Sequence, residues 1–197
     1  MGKIATEFSM SLDGFVAGPN DEVEQVFKWM MSGDTEITAV KGDGDIELKV
    51  PEESASIFEE DYKRFGVIVA GRRIFDMTHG WGGKHPMDVP IIVVTHQPPP
   101  EWCKPEWPVT FVHDGLESAL ALARKIAGEK DVAIASTTLV QQCLKAGWLD
   151  EILVDLVPFL LGKGVRLFAE LDAPLEMEIA SVVPSKGVTH ITYRINK

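Results

Sequence analysis

Cysteine is nearly absent from this 197-residue chain, which carries only Cys103 and Cys143. A disulfide framework needs more, and neither has the neighbours of a metal site, so both read as reduced thiols. No apolar run approaches the ~18 residues of a membrane span. The longest candidate, residues 152–161, is interrupted by Asp155 and Pro158. Lys3, Glu7 and Asp13 break any signal-peptide core near the start. Positive charge is also scarce, with 19 Lys and Arg against 30 Asp and Glu and a formal net charge of −11. That balance disfavours nucleic acid and anionic membranes as partners, because both attract basic patches. An anionic small ligand is still allowed, since a few cations and backbone N–H groups suffice to hold one phosphate. These absences predict a cytoplasmic protein whose partner is a small molecule or another protein.

What the chain does contain is alternation of strand and helix signals. Residues 3–12 alternate apolar and polar side chains as a strand does, and Asp13-Gly14 breaks the pattern. Residues 32–49 read as an exposed loop or a polar hairpin. Their GDGD stretch at 42–45 lacks the acid spacing and terminal Glu of a calcium loop. Phe58, Tyr62 and Phe65 predict an amphipathic helix over 53–65, ended by Gly66. VIVA (67–70), PIIVVT (90–95), VTFV (109–112) and VAIA (132–135) read as strands, several of them covered on both faces. Asp114 and Glu117 predict a capping box for a helix striped by Leu116, Leu120, Ala123 and Ala127. A further helix runs from about 137 to 146, residues 152–162 form a strand, and 175–183 with 188–195 flank a turn. With no internal repeat and no linker, residues 1–197 make one α/β domain: a mostly parallel sheet with an antiparallel C-terminal edge.

In such sheets ligands bind beyond the carboxyl ends of strands. Two junctions fit. After VIVA come Gly71, Arg72 and Arg73, where glycine permits a sharp turn and paired arginines suit a phosphate. The other reading is two solvated arginines at a helix start. After VAIA come Ser136, Thr137 and Thr138, whose hydroxyls and free helix-start N–H groups make a pyrophosphate seat. The other reading is ordinary helix capping. Thr78 to Gly83, with Trp81 among glycines, reads as a flap beside a substrate or as a packed turn. Trp29, Trp102, Trp107 and Trp148 read as packing residues.

The runs SMSLDGFVA (9–17), AGRRIF (70–75), PIIVVTH (90–96), the long segment 139–168 and THITYRI (189–195) resemble the RibD C-terminal family, in that family's order. The resemblance implies a dihydrofolate reductase-like, three-layer α/β/α fold and hydride transfer from NADPH to a small pyrimidine- or pterin-like substrate, as in the reductase step of riboflavin biosynthesis. It places Gly71, Arg72 and Arg73 at the adenosine side of the cofactor, and Thr95 and His96 at the 2′-phosphate. Ser136, Thr137, Thr138 and Leu139 fall at the pyrophosphate, and Ser9, Val16 and Ala17 around the nicotinamide. Asp13, Glu53 and Trp81 are substrate-side candidates. A homodimer using residues 153–161 is also implied, and no metal.

Two departures from the family pattern stand out. Ala135-Ser136 replaces the usual Gly-Gly pair, and Cβ atoms limit how closely a phosphate approaches. The helix carboxylate of dihydrofolate reductases falls near Ala55, with Glu53 the nearest acid. These departures keep open a non-catalytic nucleotide-binding module on the same fold, or a purely structural interaction protein.

Overall fold

The short β-branched runs become the interior of one sheet. A computed structural model describes residues 2–39, 41–168 and 171–196. Strand β1 (Ile4–Ser11) and the short β2 (Phe15–Ala17) come first. Helix α1 (Glu24–Phe27) and a 3-10 turn lead to the hairpin of β3 (Thr35–Ala39) and β4 (Ile46–Val50). Next are α2 (Glu52–Arg64), β5 (Phe65–Gly71), α3 (Arg72–Met77), β6 (Ile91–Val94) and β7 (Val109–Val112). Helix α4 (Leu116–Ala127), β8 (Asp131–Ala135), α5 (Thr137–Lys145) and β9 (Glu151–Val157) continue the alternation. β10 (Val165–Arg166) pairs with β2, and β11 (Met177–Ser185) with β12 (Val188–Ile195) closes the chain.

Eight strands share one sheet in the order β11-β12-β9-β1-β8-β5-β6-β7. β9 through β7 in that order are mutually parallel, and β12 and β11 run antiparallel at one edge. Parallel strands need cover on both faces, which is why their sequences are continuously apolar. Ala119 and Ala123 of α4 and Leu139 and Val140 of α5 pack with Val67, Val69, Val132 and Ile134. On the opposite face Phe75 of α3 packs with Ile68, Ile91 and Val93. Farther along that face, α2 lies over β1, β9 and the closing hairpin. The result is the expected three-layer α/β/α fold of the dihydrofolate reductase-like type. No helix among the described residues is long and apolar enough to cross a membrane. Both cysteines are free, and burial pushes the Cys143 thiol up to about 12, which makes it inert.

Local chemistry departs from expectation in several places. The polar stretch 32–49 is a hairpin, and its tip docks by Gly42 N–H donating to the Trp81 carbonyl at 3.0 Å. The strand at 152–162 stops at Val157, ahead of Pro158. The capping box at Asp114 and Glu117 does not form. α4 begins at Leu116 behind Gly115, whose φ of 105° is a glycine conformation, and no side chain caps it. Residues 79–83 form a left-handed turn rather than a free flap, with φ of 49° at His79 and 50° at Trp81. Packing holds it: His79 stacks on Trp102 at 4.1 Å, and Trp81 is buried and meets His85 edge-on at 4.6 Å.

Gly66 does not end α2. The helix ends at Arg64, and Gly66 lies inside β5. A Cβ there would sit 3.0 Å from the Cα of Ala127 and 2.9 Å from the Cβ of Lys130. Glycine thus lets the end of α4 rest on the sheet. Gly66→Ala is expected to cost about 1–3 kcal/mol through overpacking. Urea denaturation checks this: the midpoint falls while the slope stays constant.

Candidate functional site

β5 pairs directly with β8, Ala70 opposite Ala135, so the chain leaves both strands side by side. The tips nearly touch, since a Cβ on Gly71 would lie 2.8 Å from Ser136 Oγ. β6 pairs on the other side, Gly71 opposite Val94, and so brings Thr95 and His96 to the same edge. Between them is a cleft of about 330 Å³, walled by Gly71, Arg72, Arg73, Thr95, His96, Ser136, Thr138 and Leu139, with His113, Gly115 and Gln142. Thr137 begins α5 among them. The structure therefore gathers both predicted junctions into one cleft.

The donors there differ in how free they are. Ser136 is the N-cap of α5 but makes no side-chain cap bond, and its Oγ lies 2.9 Å from Thr138 Oγ1. The first N–H groups of α5 have no acceptor within the helix, and the helix dipole favours an anion there. The Ala135–Ser136 peptide is trans. Arg72 donates to both Asp76 oxygens at 2.8 and 2.9 Å and to the Pro98 carbonyl at 2.8 Å. Arg73 donates to Asp21 at 2.7 and 3.1 Å, with a side chain 67% exposed. Such exposed pairs are worth only about 0.2–1 kcal/mol, so a phosphate can displace Asp21. Thr95 is buried, with its Oγ1 accepting from Gln97 N–H, and His96 is exposed.

The turn after β1 is braced rather than open. Asp13 accepts from Ser11 Oγ at 2.6 Å, from Leu161 N–H at 3.0 Å and from Gly162 N–H at 2.7 Å. These donors, the Ser11 hydroxyl foremost, pull its carboxyl down to about 2. Asp13 thereby ties the β1–β2 turn to the loop after β9. Val16 and Ala17 on β2 are buried, and Val16 belongs to the same apolar cluster as Leu139 and Leu167. Glu53 and Trp81 are brought to neither the cleft nor its borders. Glu53 is exposed on the outer side of α2, and Trp81 packs in the core with Phe75.

A second polar constellation lies under α2. Ser9 of β1, Asp155 of β9 and His190 of β12 share one row of the sheet. The Trp29 indole N–H donates to Ser9 Oγ at 3.1 Å, and Ser9 Oγ donates to Asp155 at 3.3 Å. His190 Nδ1 lies 2.6 Å from Asp155 Oδ1, and its Nε2 lies 2.8 Å from Ser54 Oγ of α2. All of these side chains are buried, and Trp29 meets the His190 ring edge-on at 5.2 Å. Trp29 thus does more than pack. One row further along, Glu7 and Asp61 hydrogen-bond to each other at the wall of a cavity of about 350 Å³. Burial, then Asp61 and Asp155, raises Glu7 well above the carboxylate range. Burial pushes Asp61 up to about 6, against the pull of Arg64. None of Ser54, Glu7, Asp61, Asp155 and His190 was singled out from sequence. The available signal was Asp155, a charge inside an apolar strand run.

The Asp61 shift sets a pH dependence. Its carboxyl titrates near 6 in the fold against an ordinary 3.8, so folding favours the protonated form. Its stability contribution is full below about pH 4 and is lost as pH rises through 6. Asp61→Asn removes the loss. The variant is expected to gain roughly 1–3 kcal/mol over wild type at pH 7, with the gap closing by pH 4. Urea midpoints across that range read it directly.

With this geometry in hand, comparison with known proteins places the chain. The family model of the RibD C-terminal domain matches residues 2–191. A search of curated proteins finds no match. Among solved structures, a protein of Shewanella sp. PV-4 assigned to riboflavin biosynthesis is 22% identical, with full coverage of both chains and a TM-score of 0.76. Dihydrofolate reductase of Enterococcus faecalis, solved with NADP(H), is 20% identical at a TM-score of 0.61, covering 100% of this chain and 98% of that one. RibD of Acinetobacter baumannii is 16% identical at a TM-score of 0.65, and this chain spans 58% of its length. At these identities the structures show a shared fold. The family match covers nearly the whole sequence, and the chain belongs to the RibD C-terminal domain family.

Proposed function

We propose that the protein is an NADPH-dependent reductase of a small pyrimidine- or pterin-like substrate, akin to the 5-amino-6-(5-phosphoribosylamino)uracil reductase step of riboflavin synthesis. The observation that carries this reading is the contact between the β5 and β8 tips at Gly71 and Ser136. A dinucleotide has charged groups at two separated points, and adjoining tips offer donors to both. Arg72 and Arg73 hold the adenosine end, with Thr95 and His96 toward the 2′-phosphate. Ser136, Thr137, Thr138 and Leu139, at the start of α5, hold the pyrophosphate. Val16 and Ala17 lie toward the nicotinamide, whereas Ser9, held by Trp29 and Asp155 beneath α2, does not line the cleft. The cofactor supplies the hydride, while the protein binds and orients it and excludes water.

The working location in this reading is the cytoplasm. A second reading, a nucleotide-binding module without catalysis, is favoured by the Cβ atoms at Ala135 and Ser136 and by the ion pairs that already occupy both arginines. We also propose a homodimer. Of the segment 153–161, residues 153–157 lie inside the sheet, because β9 is between β1 and β12, whereas Phe159 and Leu160 are exposed. The exposed apolar side chains Ile179 and Val182 on edge strand β11 offer further surface to a partner.

Isothermal titration is expected to show NADPH binding, with Arg73→Ala weakening it about tenfold or more through loss of a charge-assisted contact. No binding at millimolar cofactor ends the enzyme reading. Binding without NADPH oxidation on any pyrimidine or pterin leaves the module reading in its place. Light scattering at micromolar chain is expected to give a dimer mass that Ile179→Lys converts to monomer. A monomeric wild type rejects the dimer.

A further inference from the structure

Asp21 reaches the strand-tip cleft without being one of its walls. It sits in the turn between β2 and α1, and its Oδ2 accepts from Arg73 Nη2 at 2.7 Å and from Nε at 3.1 Å. That edge of a guanidinium is the fork that grips carboxylate and phosphate alike. The fork a ligand phosphate needs is therefore filled by an acid of the chain itself.

The turn holds Asp21 in place without help from the arginine. Gly18 N–H donates to the Glu22 carbonyl at 2.7 Å, and Asp21 N–H to the Gly18 carbonyl at 3.1 Å. Asn20 donates to the Glu22 carboxylate from its backbone at 2.9 Å and from its side chain at 2.8 Å. Asp21 takes a left-handed backbone, with φ of 67°, which aspartate and asparagine accept more readily than most side chains. The carboxylate is thus aimed in advance. The two arginines differ in freedom. Arg72 is tied to both Asp76 oxygens and to the Pro98 carbonyl, and its side chain is 20% exposed. Arg73 is 67% exposed and pairs with Asp21 alone among the described residues, which makes it the partner that can swing away.

We propose that Asp21 is an internal competitor for the phosphate seat: it occupies the Arg73 fork until a ligand phosphate takes its place, and so sets how tightly the cleft binds. One fork cannot grip two anions, so every ligand that uses it has to break the Asp21 contact first. This inference rests on the reading of the cleft as the seat of a dinucleotide's phosphates. It assigns to a residue outside the cleft the control of affinity within it. A clasp, with Asp21 and Arg73 staying joined over the ligand, predicts the opposite sign.

The experiment is calorimetry on the full chain with inorganic pyrophosphate and, separately, NADPH. Asp21→Asn removes the charge and suits the same backbone. It is expected to bind both probes about two- to fivefold more tightly than wild type, the range an exposed ion pair is worth. Asp21→Gly, which also accepts a positive φ, is expected to act in the same direction and serves if the first variant fails to fold. In an Arg73→Ala background Asp21→Asn is expected to change nothing. Glu59→Gln, the same charge change at an exposed position of α2, is expected to leave pyrophosphate affinity as it is. Unchanged or weaker binding in both Asp21 variants overturns the proposal, as does an equal gain from Glu59→Gln or no pyrophosphate binding up to about 10 mM. Tighter pyrophosphate binding with no NADPH binding in any variant leaves the competitor standing and ends the reductase reading. Equal NADPH and equal pyrophosphate binding in wild type and variants ends the competitor and leaves the reductase reading intact.

Discussion

The direct pairing of β5 with β8 is the constraint on which the strand-tip cleft depends. Parallel neighbours end at the same edge of a sheet, and each is followed there by the start of a helix, α3 after Gly71 and α5 after Ser136. A close approach of two such turns leaves room for one side chain, not two. Here the room goes to Ser136, because Gly71 has no Cβ to compete for it. This accounts for the replacement of Gly-Gly by Ala135-Ser136 without disruption. The glycine that matters for tip contact is on β5, and the β8 turn keeps a hydroxyl that faces Thr138 and the free N–H groups of α5.

The layer under α2 follows a different logic. β1 sits in the middle of the sheet, between β8 and β9, with Phe8 and Met10 packed on the α4–α5 side and α2 over the other face. Its alternating side chains nevertheless put Glu7, Ser9 and Ser11 on the α2 side. A polar row in a covered strand has to be matched from across the interface, or each group costs roughly 1–3 kcal/mol. Trp29, Asp155, His190 and Ser54 provide that match for Ser9 and its neighbours. Ser11 is satisfied by Asp13 and by the Phe15 N–H. Glu7 alone meets another acid. The row thus passes from full satisfaction at one end to two facing acids at the other.

How much of this was legible in the sequence depended on the range of the physics involved. VIVA, VTFV and VAIA announced buried strands because covering both faces demands continuous apolar side chains, a local signal. The two donor-rich junctions were likewise readable, being composed of adjacent residues. What no local pattern carried was strand order, which sets the contact between Gly71 and the distant Ser136 and that between Asp155 and His190, 35 residues apart. The alternation in residues 3–12 is visible, but alternation ordinarily means one face in water, and only the cover of α2 and Trp29 over β1 turns its polar side inward. Asp114 failed as a cap for a narrower reason: the chain turns at Gly115 through a φ that capping serine or aspartate does not take.

The distribution of charge follows from the same topology. The cleft at the tips is lined by Arg72, Arg73, His96 and His113 and by the start of α5, with no acid among its walls. The cavity under α2 has Glu7, Glu60, Asp61 and Asp155 against Arg64, whose charge is consumed elsewhere. A net charge of −11 repels an anion at long range, but ionic screening over about 8 Å confines that repulsion near the surface. Within a screening length the local donors govern, so an acidic chain can present an anion seat. The cleft and the cavity differ in sign because one is built from strand ends, where backbone N–H groups and helix starts lie, and the other from strand middles, where only side chains are free to set the charge.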